Sequence, residues 1–219
     1  MTPGVGLLIP SGNTVMEGDF HRELGATWRV HTARMLLEEV TAADEQRMLD
    51  EEAEPAARRL RATKPAVLAF GCTSASSLQG EAYDAALRER LGDIAGAPVL
   101  GVLSSVIAAL DGVGPVALFT PYVADLTNRI AASLRNRGIA VQRVKSLGIV
   151  QIGGIAELSP AQISEQVQSM DLSGAAAVFC SCTNLRAYEA RDELIAATGR
   201  PVITSNQAIV DAIRHRAPR

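Results

Sequence analysis

The chain has 219 residues, 47% of them hydrophobic and 21% charged, with three cysteines and a formal net charge of −3. That length can bury a full core, and the composition is that of an ordinary soluble globular protein with no electrostatic footprint for nucleic acid. No stretch approaches the roughly 18 apolar residues of a membrane span. The start, Met1-Thr2-Pro3-Gly4-Val5-Gly6, lacks the basic and long apolar segments of a signal peptide, so a cytoplasmic location with reduced cysteines is expected.

Apolar runs of strand length alternate with helical patterns. Val5-Gly6-Leu7-Leu8-Ile9 reads as a strand that ends at Pro10-Ser11-Gly12-Asn13, and a short strand ends near Arg34. One long helix is predicted from Thr41 to Ala62, opened by Asp44 and Glu45, whose charges suit the positive end of the helix dipole, and closed by Lys64-Pro65. Ala66-Val67-Leu68-Ala69-Phe70 is a strand ending at Gly71-Cys72-Thr73-Ser74, Gly80 to Leu91 a helix, and Ala97 to Val102 a strand. Gly114 to Phe119 is a strand ending at Thr120-Pro121-Tyr122, Ala124 to Arg137 a helix stopped by Gly138, and Ile139 to Val144 a strand. Ser159-Pro160 starts a helix, with Ser159 as N-cap. Ala175-Ala176-Ala177-Val178-Phe179 leads to Ser181-Cys182-Thr183-Asn184, followed by a helix near Ala187 to Thr198 and a strand from Arg200 to Ser205.

The second half repeats the first. The two Cys-Thr pairs are 110 positions apart, Pro10 and Pro121 are 111 apart, and Pro98 and Pro201 are 103 apart. Continuous apolar strands between helices imply parallel sheets covered on both faces. The expectation is an α/β protein of two pseudo-symmetric lobes, each a parallel four-stranded sheet flanked by helices, with the active site between them. Residues 1–100 with 204–219 would form the first lobe and 101–203 the second. Ligands of such sheets sit beyond the carboxyl ends of the strands, where Ser11, Asn13, Cys72, Tyr122 and Cys182 fall.

A cysteine at a strand-to-helix junction can have its pKa lowered by the amides at the helix start, and can serve as thiolate base or nucleophile and, once protonated, as acid. Thr73, Ser74, Thr183 and Asn184 place hydroxyl, amide and backbone donors beside the two thiols, and Asn13 and Tyr122 add neutral donors. Such donors suit a carboxylate and the enediolate formed when a neighbouring carbon is deprotonated or attacked. No phosphate loop, dinucleotide fingerprint or Ser-His-Asp pattern is present in the sequence. Cys180 reads as core packing, because a Cys180-x-Cys182 metal site would need further ligands that are not near in sequence. His21, His31 and His215 read as surface or structural, Arg34 as half of a surface ion pair with carboxylate binding as the alternative, and Glu17 and Asp19 equally as cleft residues or as complements to a helix start.

The motifs Pro10-Ser11-Gly12-Asn13-Thr14, Gly71-Cys72-Thr73-Ser74, Thr120-Pro121-Tyr122, Ser181-Cys182-Thr183-Asn184-Leu185 and Pro201 to Ala208 resemble those of the aspartate/glutamate racemase superfamily, most closely its maleate cis–trans isomerase and arylmalonate decarboxylase branch. The resemblance implies a cofactor-independent, metal-free enzyme acting on a small carboxylate, with Cys72 and Cys182 catalytic and Ser11, Asn13, Thr73, Ser74, Tyr122 and Thr183 binding substrate. It also implies a homo-oligomer such as a dimer, with neither nucleic acid nor membrane as a partner. Decarboxylases of the branch carry glycine at the first cysteine position, so Cys72 implies two-sided chemistry: isomerisation of a cis-dicarboxylate, with racemisation of an amino acid or hydantoin, or decarboxylation, as alternatives. The chain departs from the isomerase pattern at Gly12, where the family carries serine, and in the segment 147–154, which lacks a usual asparagine and leaves open whether Gln151 or a neighbour replaces it.

Overall fold

The computed structural model describes residues 2–216. Two parallel four-stranded sheets carry the chain. The first comprises β1 (Gly4–Pro10), β2 (Arg29–Met35), β3 (Val67–Phe70) and β4 (Val99–Gly101), in the order β2-β1-β3-β4. The second comprises β5 (Val116–Thr120), β6 (Val141–Ser146), β7 (Ala177–Cys180) and β8 (Val202–Thr204), in the order β6-β5-β7-β8. The two orders are the same once the halves are overlaid, which is the duplication written in the sequence.

Burial explains the strand sequences. β1, β3, β5 and β7 are interior strands with every residue buried, so their apolar runs are unbroken. β6 is an edge strand whose residues alternate between half-buried and exposed; its polar residues Gln142, Arg143, Lys145 and Ser146 fall on both faces, as an edge strand tolerates. Leu8 pairs with Phe70 and Phe119 with Cys180, so the interior strands of each sheet end within two residues of one another. The loops that follow them therefore emerge on one edge.

The helices pack around these sheets: α1 (Met16–Leu24), α2 (Ala42–Glu51), α3 (Ala53–Arg61), α4 (Glu81–Ala95), α5 (Val102–Leu110), α6 (Ala124–Asn136), α7 (Ile152–Ala156), α8 (Pro160–Gln168), α9 (Arg191–Thr198) and α10 (Ser205–Arg214). Phe20, Phe70, Phe119 and Phe179 are fully buried and fill the space between sheets and helices. α5 packs on α10, and each of these helices touches both β4 and β8, so the pair bridges the two sheets. None of the helices among the described residues is long and apolar enough to cross a membrane.

Several elements differ from expectation for local reasons. The single helix expected from Thr41 to Ala62 is two helices broken at Glu52. Pro55 causes the break, since it has no N–H for the carbonyl of Glu51 and its ring crowds that carbonyl. α4 runs four residues past Leu91 and stops at Gly96, whose φ of 72° is the left-handed C-cap that glycine adopts freely. The strands expected to reach Val102 and Ser205 instead give way to α5 and α10 at those residues. The helix expected from Ala187 begins at Arg191. Ser159 does cap α8, in a reciprocal box with Gln162.

Candidate active site

The first thiol stands just beyond β3. Gly71 ends the strand where no side chain fits: a Cβ there would lie 2.5 Å from Met16 Sδ and 2.7 Å from Ile9 Cγ2. The chain then places Cys72 at the surface of the core and turns through the single 3-10 turn Ala75–Ser77. Cys72 Sγ lies 3.8 Å from Ser74 Oγ. Ser74 in turn donates a hydrogen bond to Glu45 Oε1 from α2.

The second thiol stands two residues beyond β7. Cys182 has φ of 150°, a value that residues with side chains seldom adopt and that the surroundings must enforce. Its N–H donates to Ser205 Oγ (3.1 Å), and its sulfur accepts from the Asn184 N–H (3.2 Å). The Asn184 carboxamide is spent on the scaffold, accepting from Thr14 N–H and donating to the carbonyls of Ile152 and Gly12.

The two loops interlock across the lobes. Thr183 Oγ1 donates to the Gly71 carbonyl (2.9 Å) and accepts from Asn13 Nδ2 (2.9 Å). Thr73 Oγ1 donates to Ser205 Oγ (3.0 Å), the same oxygen that receives the Cys182 amide. Asn206, next along α10, donates to the Thr183 carbonyl and to Asp19.

Both thiols line one narrow cleft, with Ser74, Glu45, Tyr122, Asn13, Thr183 and Asn184 as its other polar walls and Pro10, Leu37, Val40, Ile152 and Ile155 as its apolar ones. The remaining space is about 20 Å³, room for roughly one water. Over it the loop after β2 meets the loop after β6, where Val40 N–H donates to the Val150 carbonyl and Glu39 bridges Gln151. A larger hollow of about 600 Å³ beside α4 contains no thiol and is lined by Arg88, Glu89 and Asp93 among others. Chemistry, not size, marks the narrow cleft as the site.

Of the residues singled out in the sequence, Cys72, Cys182, Asn13, Ser74, Tyr122 and Thr183 come together in this cleft. Ser11 does not line it; its hydroxyl exchanges hydrogen bonds with the backbone of Leu37. Thr73 is fully buried behind it, bonded to Ser205. Asn13 lines the cleft while its oxygen accepts from the amides of Val15 and Met16 at the start of α1. Arg34 pairs with Glu17 at 2.7 Å and holds the carbonyls of Ser11 and Asn13, so it braces the loop. Gln151 is exposed, and Cys180 is fully buried in the core. No cluster of three or more potential metal ligands occurs among the described residues.

Glu45 went unrecognised in the sequence. The clue was its helical phase: Glu45, Met48 and Leu49 share the buried face of α2, a carboxyl among apolar residues. Gly12 also gains a reason, since a Cβ there would lie 2.5 Å from Ile152 Cγ2. The small residue lets the Ile152 side chain occupy the cleft wall.

Burial dominates the electrostatics. It pushes the Cys72 thiol well above its usual range, and the Glu45 charge adds to that, while the Ala75 amide and the Ser74 hydroxyl pull the other way. Burial pushes Cys182 up to about 11, with the Tyr122 hydroxyl and the Asn184 amide opposing it. Tyr122 is raised well above its ordinary value by burial and by the two thiols. Burial lifts Glu45 to about 8, opposed by the Ser74 hydrogen bond and by Arg129. No Arg, Lys or His lines the cleft, so neutral donors must recognise any anion bound there.

Two like parallel sheets, with a thiol beyond the third strand of each and both thiols in one cleft, define an α/β protein with a paired-cysteine site. The arylmalonate decarboxylase family profile matches residues 5–217, and the chain belongs to that family. It is 28% identical to the maleate isomerase of Geobacillus stearothermophilus over 94% of this chain and 88% of that protein. It is 31% identical to the arylmalonate decarboxylase of Bordetella bronchiseptica over 72% of this chain and 68% of that one. Its fold matches a cysteine-to-serine mutant of the Nocardia farcinica maleate cis-trans isomerase with a covalently bound succinylcysteine intermediate, at a TM-score of 0.91 and 20% identity, covering 97% of this chain and 91% of that one.

Proposed function

We propose that this protein is a cofactor-independent cis–trans isomerase of a small cis-dicarboxylate, with maleate as its substrate. The observation that carries the reading is the presence of two thiols in one buried, cation-free cleft with neutral donors around them. Substrate and product are isomers, so the reaction needs no net redox or group transfer.

Cys72, as thiolate, adds to one carbon of the double bond. The electron pair moves to the other carbon and into its carboxylate, where the Tyr122 hydroxyl would stabilise the charge as it develops. Cys182 holds its proton tightly at neutral pH, which suits an acid that supplies a proton to that second carbon and later reclaims it. The former double bond is now single and can rotate. Elimination of the sulfur then restores the double bond in the trans form. The closed cleft keeps water from the intermediate.

The test is incubation of the protein with maleate in heavy water, followed by proton NMR. Appearance of fumarate supports the reading. Deuterium exchange into an amino acid or hydantoin with no cis-to-trans conversion would replace it with racemisation. Carbon dioxide release from a disubstituted malonate that survives Cys72→Ala would replace it with decarboxylation.

A further inference from the structure

Glu45 is the only carboxylate among the residues that line the cleft, and the isomerisation described above does not use it. It is fully buried, on the inward face of α2. Oε1 accepts from Ser74 Oγ, and that oxygen lies 3.8 Å from Cys72 Sγ. Oε2 is buried and has no partner. Sulfur, hydroxyl and carboxyl thus form one chain of hydrogen-bonding groups. The Cys182 loop has no counterpart, because Asn184 stands where Ser74 does and its carboxamide is bonded to backbone.

Other charged groups leave this chain intact. Arg129 of α6 approaches Glu45 from the second lobe, but its guanidinium is bonded to Asp125 and to the Leu78 carbonyl. Tyr122 and Cys182 face Glu45 as neutral acids, both raised by burial. On α2 itself, Asp44 pairs with Arg47.

We propose that Glu45 accepts, through the Ser74 hydroxyl, the proton that Cys72 gives up when its sulfur becomes a nucleophile. The Cys72 S–H bond breaks as a bond forms to Ser74 Oγ. The Ser74 O–H bond breaks as one forms to Glu45 Oε1. Negative charge passes from carboxylate to sulfur, and the proton returns by the same route when sulfur leaves the product. The physical advantage lies in charge conservation. Ionising Cys72 to solvent would add a charge to a dry cleft, whereas the relay moves a charge already there. Glu45 acts through Ser74 and positions the proton; it need not touch the substrate.

The inference rests on Cys72 as the nucleophile, and its test does not require that maleate be the substrate. Cys72 is alkylated with iodoacetamide from pH 6 to 10, and each cysteine is followed by mass spectrometry in the wild type, Glu45→Gln and Ser74→Ala. In the wild type, Cys72 reactivity should rise through about pH 8, where Glu45 ionises. In both variants it should fall tenfold or more at pH 8, with the rise moved to higher pH, while the Cys182 rate stays within about twofold and reports an intact fold. If Glu45→Gln reacts as fast as the wild type or faster, the proposal fails, because loss of a like charge beside a thiol would by itself speed reaction. Unchanged Cys72 reactivity in Ser74→Ala would overturn it equally, and that variant decides the matter if Glu45→Gln does not fold. A protein inert toward maleate that still shows the shift keeps the relay and loses only the substrate assignment.

Discussion

The two Cys-Thr loops share spelling, strand position and a threonine bonded to a distant segment, yet they differ around the sulfur. Cys72 is followed by a serine that leads to a buried carboxyl. Cys182 has a forced backbone, an amide pointed at its sulfur, and an asparagine committed to holding the first lobe and α7. Duplication supplied two equivalent thiols, and the residues two positions downstream made them unequal. Under the relay proposed above, the first thiol would give its proton to that carboxyl while the second keeps its own. A two-sided reaction that starts with a nucleophile and ends with an acid requires that asymmetry.

The largest effects should come from deleting the thiols themselves. Cys72→Ala should lower maleate turnover by about 10⁴-fold or more, because the remaining thiol cannot serve as both nucleophile and proton donor. Cys182→Ser should cost about 10²- to 10⁴-fold, the range for a displaced acid–base group. Initial rates by NMR check both, and a Cys182 variant with full activity would break the two-thiol comparison.

The next effect concerns stability. Glu45 keeps its proton up to about pH 8 in the folded protein, whereas its ordinary value is 4.5. Its contribution is therefore fully present below about pH 4.5 and is lost as the pH rises through about 8, because the unfolded chain gains by ionising first. Glu45→Gln should be more stable than the wild type above pH 5, by an amount that grows to the order of 3–5 kcal/mol near pH 8. Chemical denaturation at pH 5 and pH 8 measures it, and an advantage that does not grow with pH would count against a neutral buried carboxyl.

Ser205→Ala removes the oxygen that receives both the Thr73 hydroxyl and the Cys182 amide. Leaving those donors unpaired in the core should cost about 1–3 kcal/mol, read as a lower denaturation midpoint together with a lower kcat. Loss of stability with kcat unchanged would show that Cys182 does not depend on this joint. The smallest effect is expected from Gly12→Ser, which drives a side chain into Ile152 and should cost about 1–2 kcal/mol through overpacking. Ile152→Ala in the same chain removes the clashing methyl and should restore part of it.

Much of this molecule was legible in one dimension. Unbroken apolar runs, punctuated at Pro10, Gly71, Pro121 and Ser181, mark interior parallel strands and their ends, because a strand buried on both faces has no polar positions. The near-constant spacing of the Cys-Thr and proline landmarks reveals the duplication, and strand ends in parallel sheets are where ligands bind, so six of the eight residues singled out do meet in the cleft. Helix interruptions were harder: Pro55 was in plain view, but its effect depends on whether the preceding turn has partners that make a break tolerable.

What the chain's order could not reveal is which hydroxyls face the cleft and which face the protein. Ser11 and Thr73 match Ser74 and Thr183 in chemistry and position, and only packing turns the first pair toward Leu37 and Ser205. Glu45 is the clearest case. In sequence it is one of two carboxylates in the first turn of α2, equally suited to a helix dipole. Burial beside Met48 and Leu49 and the approach of Ser74, 29 residues away, lift its pKa to about 8 and set it within reach of a thiol's proton. Periodicity and punctuation act locally and survive in a string of letters. Desolvation and hydrogen bonding between distant segments exist only once the lobes have closed on each other.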